Sequence, residues 1–204
     1  MIARYQNYGC ERKSKKNRKE NKIILMIDFE NIINSMPSFS PFEKNYTSID
    51  TAIENLIRQL EKIGKVVQAY IFAPPHSLSV YSIYAERFYY KGIIMISCPK
   101  IKKMNYGISH NPFEDTVDEI LRKCCDNWII QRKSEITHFC LASGDSDFLR
   151  MIKKLKRNGI KIIIAAGNND SLSGVLKREA DIILSQEGRV KGILLFPFNK
   201  FKKI

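Results

Sequence analysis

The chain has 204 residues, of which 44% are hydrophobic and 27% charged, a composition typical of one globular domain with a sizeable core. It has no run of 18 or more apolar residues, and its five cysteines show no CxxC spacing. These features argue against a transmembrane helix, a zinc site and a disulfide framework, and they favour reduced thiols in a cytoplasm. The net charge of +13 favours an anionic partner.

The positive charge is concentrated at the two ends of the chain. Residues 1–22 carry eight Lys and Arg against two Glu, and residues 189–204 carry five against none. Such segments neutralise phosphates without regard to base sequence, which favours nucleic acid as the partner. A solubilising tail is the alternative, because a charge block alone is a weak motif. We predict a flexible basic N-terminal tail over 1–21, a folded domain over 22–186 and a basic C-terminal extension over 187–204.

Between these ends, short apolar runs alternate with segments of helical periodicity. Five runs have the character of buried strands: 22–28, 65–73, 93–97, 136–142 and 160–167. Helices are predicted in between, at 47–64, at 77–92, over about 113–132, after Asp147 and in "SLSGVLKREA". Continuous apolar strands that alternate with helices are typical of a parallel sheet covered on both faces. The predicted fold is therefore α/β, with three α/β/α layers around a mostly parallel sheet of about five strands.

Polar side chains follow two of these strands. Asp28 ends the first strand and Asn31 lies in the next turn, while Asp145 and Asp147 follow the fourth strand in "LASGDSDF". Ligands of parallel sheets bind beyond the carboxyl ends of the strands, where the strand order reverses. If the first and fourth strands are neighbours, these carboxylates converge, which suggests a shared cation. Helix capping by Asp145 or Asp147, and turn capping by Asn31, are the alternatives.

The predicted helix over about 113–132 offers another carboxylate. Asp118 lies at the border of its apolar stripe, so its side chain is expected to face the edge of the sheet. Asn111, followed by a proline, suits the start of the helix. We therefore interpret Glu114 and Asp115 as structural acids of the first turn.

The chemistry of these groups points to a metal. Three or four carboxylates without a histidine cluster select a hard cation, Mg²⁺ or Mn²⁺, rather than zinc. Such ions activate water, hold a scissile phosphate and stabilise the leaving oxygen, which is what phosphodiester hydrolysis needs. The sequence has no competing Ser-His-Asp arrangement, GxGxxG motif or Walker motif.

Four segments of the sequence together resemble a known family: "MIDFENI", "TVDEIL", "ASGDSDFLRMIKKLKRNGIKIIIAAG" and "SLSGVLKREADIIL". They resemble the NYN domain, a branch of the PIN-like nucleases that includes LabA-like proteins. The resemblance implies a Rossmann-like sheet of order 3-2-1-4-5 and a metal-dependent ribonuclease site. Its catalytic set would be Asp28, Asn31, Asp118, Asp145 and Asp147, and the four aspartates would bind Mg²⁺ or Mn²⁺. Many relatives have an aspartate six residues after the helix acid, where this chain has Cys124.

Residues near the site are candidates for contacting nucleic acid. Ser143 shapes the turn and is also placed to touch a phosphate or a metal-bound water. Lys100, Lys102 and Lys103, in the loop before the acidic helix, are placed to follow an RNA backbone, although a solvated loop explains them almost as well. Asp181 in "EADIIL" is interpreted as structural, tying a helix end to the final strand.

The sequence therefore predicts a Mg²⁺- or Mn²⁺-dependent ribonuclease that cleaves single-stranded or structured RNA internally. It predicts no membrane partner and leaves a homodimer open. The alternative is an RNA-binding adaptor that keeps the fold and the basic ends but has no catalysis. Retention of all four aspartates favours the enzyme.

Overall fold

A computed structural model describes residues 20–35, 46–75, 88–89, 91–102, 113–114, 116–129, 131, 135–167, 170–186 and 198–201. Several predicted features lie outside these residues. They are most of the basic N-terminal tail, most of the helix at 77–92, most of the C-terminal extension, and Lys103, Asn111 and Asp115.

Seven strands form the main sheet. They are β1 (Lys22–Asp28), β2 (Lys65–Ala73), β3 (Ile93–Ser97), β6 (His138–Ala142), β7 (Lys161–Ala166), β8 (Ile182–Gln186) and β9 (Phe198–Phe201). Their order is β3-β2-β1-β6-β7-β8-β9, and all neighbours are parallel except β9, which runs antiparallel to β8. The six parallel strands thus have the order 3-2-1-4-5-6. This confirms the predicted α/β fold and extends the sheet beyond the expected five strands.

Helices cover both faces of the sheet. They are α1 (Phe29–Ser35), α2 (Tyr46–Glu61), α3 (Val117–Cys124), α4 (Leu149–Arg157) and α5 (Gly174–Glu179). Buried side chains of α1 and α2 belong to one core cluster, and those of α3, α4 and α5 belong to the other. We call these the α1–α2 layer and the α3–α5 layer. None of the helices in the described part of the chain has the length and apolar character needed to span a bilayer.

The first strand shows why its sequence is a continuous apolar run. Leu25 and Ile27 are buried against the α1–α2 layer, whereas Ile24 and Met26 are buried against the α3–α5 layer. Successive side chains of a strand point to opposite faces, so a strand covered on both sides has no polar positions. The next even-numbered residue is Asp28, and the alternation therefore directs its carboxylate toward the α3–α5 layer.

The acidic helix begins later than predicted. Phe113 and Glu114 form the short strand β5 (Phe113–Glu114), which pairs antiparallel with β4 (Ile101–Lys102). The hydroxyl of Thr116 donates to the carbonyl oxygen of Pro99 at 2.5 Å instead of capping α3. Glu114 is therefore part of a strand, and its interpretation as a first-turn helix acid was wrong. The helix is followed by a π-helical turn, Cys125–Ile129.

Candidate metal centre

The candidate site lies where the strand order reverses. From β1 the chain continues to β2 on one side, whereas β6 lies on the other side of β1. Loops that leave such a pair of strands diverge and open a crevice at their carboxyl ends. Asp28 is the last residue of β1, and the segment from Ser143 to Asp147 directly follows β6.

Three carboxylates come together in this crevice. One oxygen from each of Asp118, Asp145 and Asp147 lies within 4.8 Å of the other two. Asp118 belongs to α3, whereas the other two lie between β6 and α4, so tertiary structure assembles the group. Asp118 and Asp145 are half-buried and Asp147 is exposed. The cluster therefore faces solvent on one side and is accessible to a ligand.

Asp28 lies beside this three-carboxylate group and is not a member of it. Its side chain is buried, and burial raises the pKa of Asp28 to about 7. The backbone N–H of Asn31 opposes this rise, and the charges of Asp118 and Asp145 add to it. A buried carboxylate next to like charges is stabilised either by a proton or by a cation.

A hydrogen-bond network joins the two loops of the crevice. Asp28 Oδ1 accepts from the backbone N–H of Asn31 at 3.3 Å, and Asp28 Oδ2 accepts from the hydroxyl of Ser143 at 3.2 Å. The Ser143 oxygen accepts in turn from the backbone N–H of Asp145 at 3.2 Å. The side-chain oxygen of Asn31 accepts from the backbone N–H of Gly144 at 3.0 Å. The β1 loop and the β6 loop are therefore held in register by side chains of both.

Ser143 is fully buried within this network. Phe139 and Leu141 of β6 face the α3–α5 layer, and Ser143 continues their alternation toward Asp28. The strand period was therefore the sequence signal that could have placed this hydroxyl. Burial favours a positioning role for Ser143 over the contact with nucleic acid that the sequence suggested.

Asp145 both caps a helical turn and contributes to the carboxylate group. Its Oδ1 accepts from the backbone N–H of Asp147 at 2.9 Å, at the start of the 3-10 turn Ser146–Phe148 that leads into α4. The two sequence interpretations, helix cap and member of the cluster, thus describe one residue. The cap fixes the orientation of the Asp145 side chain in the crevice.

A third loop closes the site from behind, and the sequence did not indicate it. A Cβ atom on Gly144 would lie 1.9 Å from the carbonyl oxygen of Ser171, so only glycine fits there. The backbone N–H of Ser173 donates to the carbonyl oxygen of Gly144 at 3.0 Å. The Ser173 hydroxyl also accepts from the backbone N–H of Leu176 and so caps α5. The loop before α5 is therefore packed directly on the turn that carries the aspartates.

Comparison with known protein families identifies the family of the chain. The NYN domain family matches residues 22–187, which is most of the chain. The chain belongs to the NYN family. NYN is a PIN-like nuclease domain. Its members act on nucleic acids and are typically nucleases, and PIN-like nucleases use divalent metals.

A solved structure supports the fold of this NYN domain. A protein of unknown function from Vibrio parahaemolyticus aligns with a TM-score of 0.54 at 16% identity, covering 83% of this chain and 95% of that one. MurG from Acinetobacter baumannii aligns at a TM-score of 0.43 and 11% identity, over 82% of this chain and 42% of MurG. Only the first similarity is strong enough to bear on the fold, and neither bears on activity. Among curated proteins, none matches the chain.

The structure also describes two of the predicted lysines. Lys100 is exposed beyond the carboxyl end of β3, next to Pro99, which is bonded to Thr116 at the start of α3. This places Lys100 at the site edge of the sheet. Lys102 belongs to β4.

Asp181 lies away from the site. Its Oδ2 accepts from the backbone N–H of Ile162 at 2.7 Å, and its own N–H donates to the carbonyl oxygen of Ile162 at 2.8 Å. Ile162 is near the start of β7, at the edge of the sheet opposite the aspartates. Asp181 thus joins the end of α5 to the sheet, as the structural interpretation predicted.

Proposed function

We propose that this NYN domain is a divalent-metal-dependent ribonuclease that hydrolyses RNA phosphodiester bonds internally. The observation that carries the proposal is the three-carboxylate group of Asp118, Asp145 and Asp147, with oxygens within 4.8 Å of one another. In the proposal these residues bind Mg²⁺ or Mn²⁺, with Asp28 as the fourth carboxylate. The residues come from opposite sides of the strand-order reversal, where ligands of such sheets bind.

The donor set fits a hard cation. All three groups offer carboxylate oxygens, and no His or Cys belongs to the group among the described residues. Mg²⁺ prefers such oxygen ligands and usually retains several waters, which suits a cluster with an exposed side. The raised pKa of Asp28 supports the proposal as well, because it reflects a buried carboxylate beside the like charges of Asp118 and Asp145.

In the proposed mechanism, a Mg²⁺ or Mn²⁺ ion held by Asp118, Asp145 and Asp147 would supply Lewis-acid chemistry toward the phosphate and a bound water. The chain supplies the position of each ligand. Ser143 holds Asp28 and the backbone of Asp145 at the same time, and Asn31 holds Gly144. We assign Asn31 and Ser143 as positioning residues on this basis. A shift of about 1 Å at such a site is enough to cost about 10²-fold in rate.

Positively charged side chains near the cluster are proposed to attract RNA. Lys100 is exposed at the site edge, and Lys102 and Lys103 follow it in the chain. We propose that these lysines contact the phosphate backbone, because such contacts add affinity without requiring a base sequence.

Cleavage of labelled RNA with Mn²⁺, with and without EDTA, tests the proposal for the wild type and Asp145→Asn. Asparagine is as good an N-cap as aspartate, so this substitution removes a charge while preserving the turn. The matched control is Glu119→Gln, because Glu119 is exposed on α3 and pairs with Lys123. We expect EDTA and Asp145→Asn to abolish cleavage and Glu119→Gln to leave it unchanged.

Two results would contradict this proposal. Cleavage that persists in EDTA or in Asp145→Asn would exclude the metal mechanism. RNA binding without cleavage under any divalent metal would instead favour the non-catalytic adaptor. The same assay with DNA of matched sequence measures the preference for RNA.

A further inference from the structure

Helix α4 carries a stripe of positive charge on its solvent side. The stripe consists of Arg150, Lys153, Lys154 and Arg157, all of them exposed. Their spacing of three, four and seven residues places them on one side of the helix, within an arc of about 100°. The helix contains no acidic residue, and its opposite side is buried in the core.

The stability of the helix explains only part of this stripe. Lys154 and Arg157 in the last turn complement the helix dipole, but Arg150 in the first turn opposes it, and like charges three and four residues apart repel each other. Lys154 pairs with Asp126 at 3.0 Å. Within the described part of the chain, no carboxylate forms an ion pair with Arg150, Lys153 or Arg157. Most of the stripe is therefore unbalanced positive charge.

The stripe begins at the carboxylate cluster. Asp147 lies two residues before α4, and Arg150 is in the first turn of the helix. Arg157 is seven residues further on, about 10 Å away at 1.5 Å per residue. The stripe therefore runs from the mouth of the candidate site toward the other edge of the sheet.

Helix α5, which packs beside α4, extends the basic surface. Lys177 and Arg178 are exposed on it. The guanidinium of Arg178 reaches back to within 3.9 Å of where a Cβ atom on Gly174 would lie, which is the end of α5 nearest the site. By contrast, Lys156 is committed to the fold, because its Nζ binds both the carbonyl and the carboxylate of Glu179.

The stripe is more basic than the α2 segment and contains no exposed large hydrophobic residue. Residues 148–181 carry eight Lys and Arg against three Asp and Glu, whereas residues 46–65 carry three against three. The exposed large hydrophobic residues of the described chain are Val67, Tyr89 and Ile94, and none is on α4. A linear, strongly positive and apolar-free surface fits a polyanion chain better than a lipid surface, which also needs apolar groups to insert.

We propose that Arg150, Lys153 and Arg157 bind the phosphate backbone of the RNA strand whose scissile bond lies at the carboxylate cluster. The proposal rests on the proposed function for the identity of the strand. Backbone contacts of this kind fix register without reading bases. The strand runs along α4 and enters the crevice beside Arg150.

RNA binding in EDTA tests this surface separately from catalysis. We compare the full chain with Arg150→Gln/Lys153→Gln/Arg157→Gln, and with the matched control Arg58→Gln/Lys62→Gln/Lys65→Gln. The control residues lie on α2, the following turn and the start of β2, and both variants remove three charges. Affinity for a fluorescent single-stranded RNA is measured between about 50 and 200 mM salt.

The stripe variant should lose three phosphate contacts. Each contact contributes about 0.7 to the slope of log affinity against log salt, so the slope should fall by about 2. Affinity at about 0.1 M salt should fall by about tenfold to a hundredfold. The control should keep its slope. Equal losses in both variants would reduce the effect to net charge and overturn the proposal, and so would no loss in the stripe variant.

Lysine acetylation followed by mass spectrometry provides a direct check on the wild-type protein. RNA should protect Lys153 from the reagent and leave Lys62 reactive, and equal protection of the two would overturn the proposal. The two proposals fail in different ways. If cleavage fails while Lys153 is protected, the ribonuclease proposal falls and the binding surface stands. If cleavage succeeds while the stripe variant binds RNA normally, only the stripe is wrong.

Discussion

The two helical layers of this domain bury similar apolar faces but expose different surfaces. Residues 46–65, which include α2, carry three acidic and three basic residues, whereas residues 148–181, which include α4 and α5, carry three acidic and eight basic ones. All three members of the carboxylate group lie on α3 or before α4. Both layers cover the sheet, but the carboxylate group and the excess of basic residues lie on the α3–α5 layer.

Strand alternation gives a physical reason for this asymmetry. A residue at the carboxyl end of β1 or β6 faces one layer or the other according to whether its number is odd or even. Even-numbered residues of β1 and odd-numbered residues of β6 face the α3–α5 layer. Asp28 and Ser143 continue these two series and therefore face the same layer. Helix α3 lies in the connection that leads into β6 and α4 in the connection that leaves it, and both pack on that face. The difference between the two layers thus follows from topology and register.

The largest expected effect distinguishes a carboxylate of the α3–α5 layer from a carboxylate of the α1–α2 layer. Asp118→Asn should lower metal-dependent RNA cleavage by about 10³-fold, because ion-mediated charge stabilisation is worth several kcal/mol. Glu61→Gln, an exposed acid at the end of α2, should change the rate less than twofold. Single-turnover cleavage rates in saturating Mn²⁺ measure both. Equal losses would mean that the α3–α5 layer has no special catalytic role.

The next effect concerns the free-energy cost of ionising the buried carboxylate of Asp28. Its folded pKa is about 7 against an ordinary value of 3.8, so the native state binds more protons than the unfolded state between these values. Stability is therefore lost as the pH rises from about 4 to about 7, by up to about 4 kcal/mol at about 1.4 kcal/mol per pKa unit.

Asp28→Asn should remove this pH dependence. The amide carries no charge at any pH, and the Ser143 hydroxyl can rotate to accept from it. Chemical denaturation in EDTA at about pH 5 and about pH 8 measures the difference. The variant should be more stable than the wild type at the higher pH and similar at the lower one. A parallel decline in both proteins would show that other groups cause it.

A smaller effect tests the packing of the loop before α5 on the turn that carries the aspartates. Gly144→Ala places a Cβ against the Ser171 carbonyl, which should cost about 1–3 kcal/mol and displace Asp145. In Gly174→Ala the nearest atom is the Arg178 Nη1 at 3.9 Å, so we expect a gain of about 0.4–1 kcal/mol. Urea denaturation and cleavage rates measure both variants. A harmless Gly144→Ala would mean that the loop before α5 does not brace the aspartates.

The sequence was sufficient to predict the sheet because its strands are buried on both faces. The continuous apolar runs that became β1, β2 and β3 were found with their observed bounds. The gathering of carboxylates at the end of β6 followed from the rule for parallel sheets. The identity of the catalytic residues themselves remains a prediction.

Contacts between distant segments account for what the sequence did not indicate. The start of α3 depends on the pairing of β4 with β5, which leaves no local periodicity. The bond between Asn31 and Gly144 spans 113 residues. Four aspartates were expected to meet, but Ser143 and Asn31 hold Asp28 in the interior beside a group of three. Only tertiary structure determines which carboxylates share one point.

The smallest expected effect comes from removing the carboxylate partner of one surface lysine on each layer. Asp126 pairs with Lys154 on the α3–α5 layer, and Glu54 pairs with Lys91 on the other. Asp126→Asn and Glu54→Gln should each cost no more than about 1 kcal/mol of stability, since exposed ion pairs contribute little. Each substitution raises the net charge by one.

Their effects on RNA binding should nevertheless differ. Freeing Lys154 makes the fourth cation of the α4 stripe available to a phosphate, so Asp126→Asn should tighten RNA binding a few-fold and raise the salt slope by about 0.7. Glu54→Gln should leave both quantities unchanged, because Lys91 lies outside the proposed path of the strand. Salt titrations of RNA affinity compare the two variants. If both variants respond alike, RNA affinity depends only on the total charge of the domain, and the two layers differ only in their carboxylates.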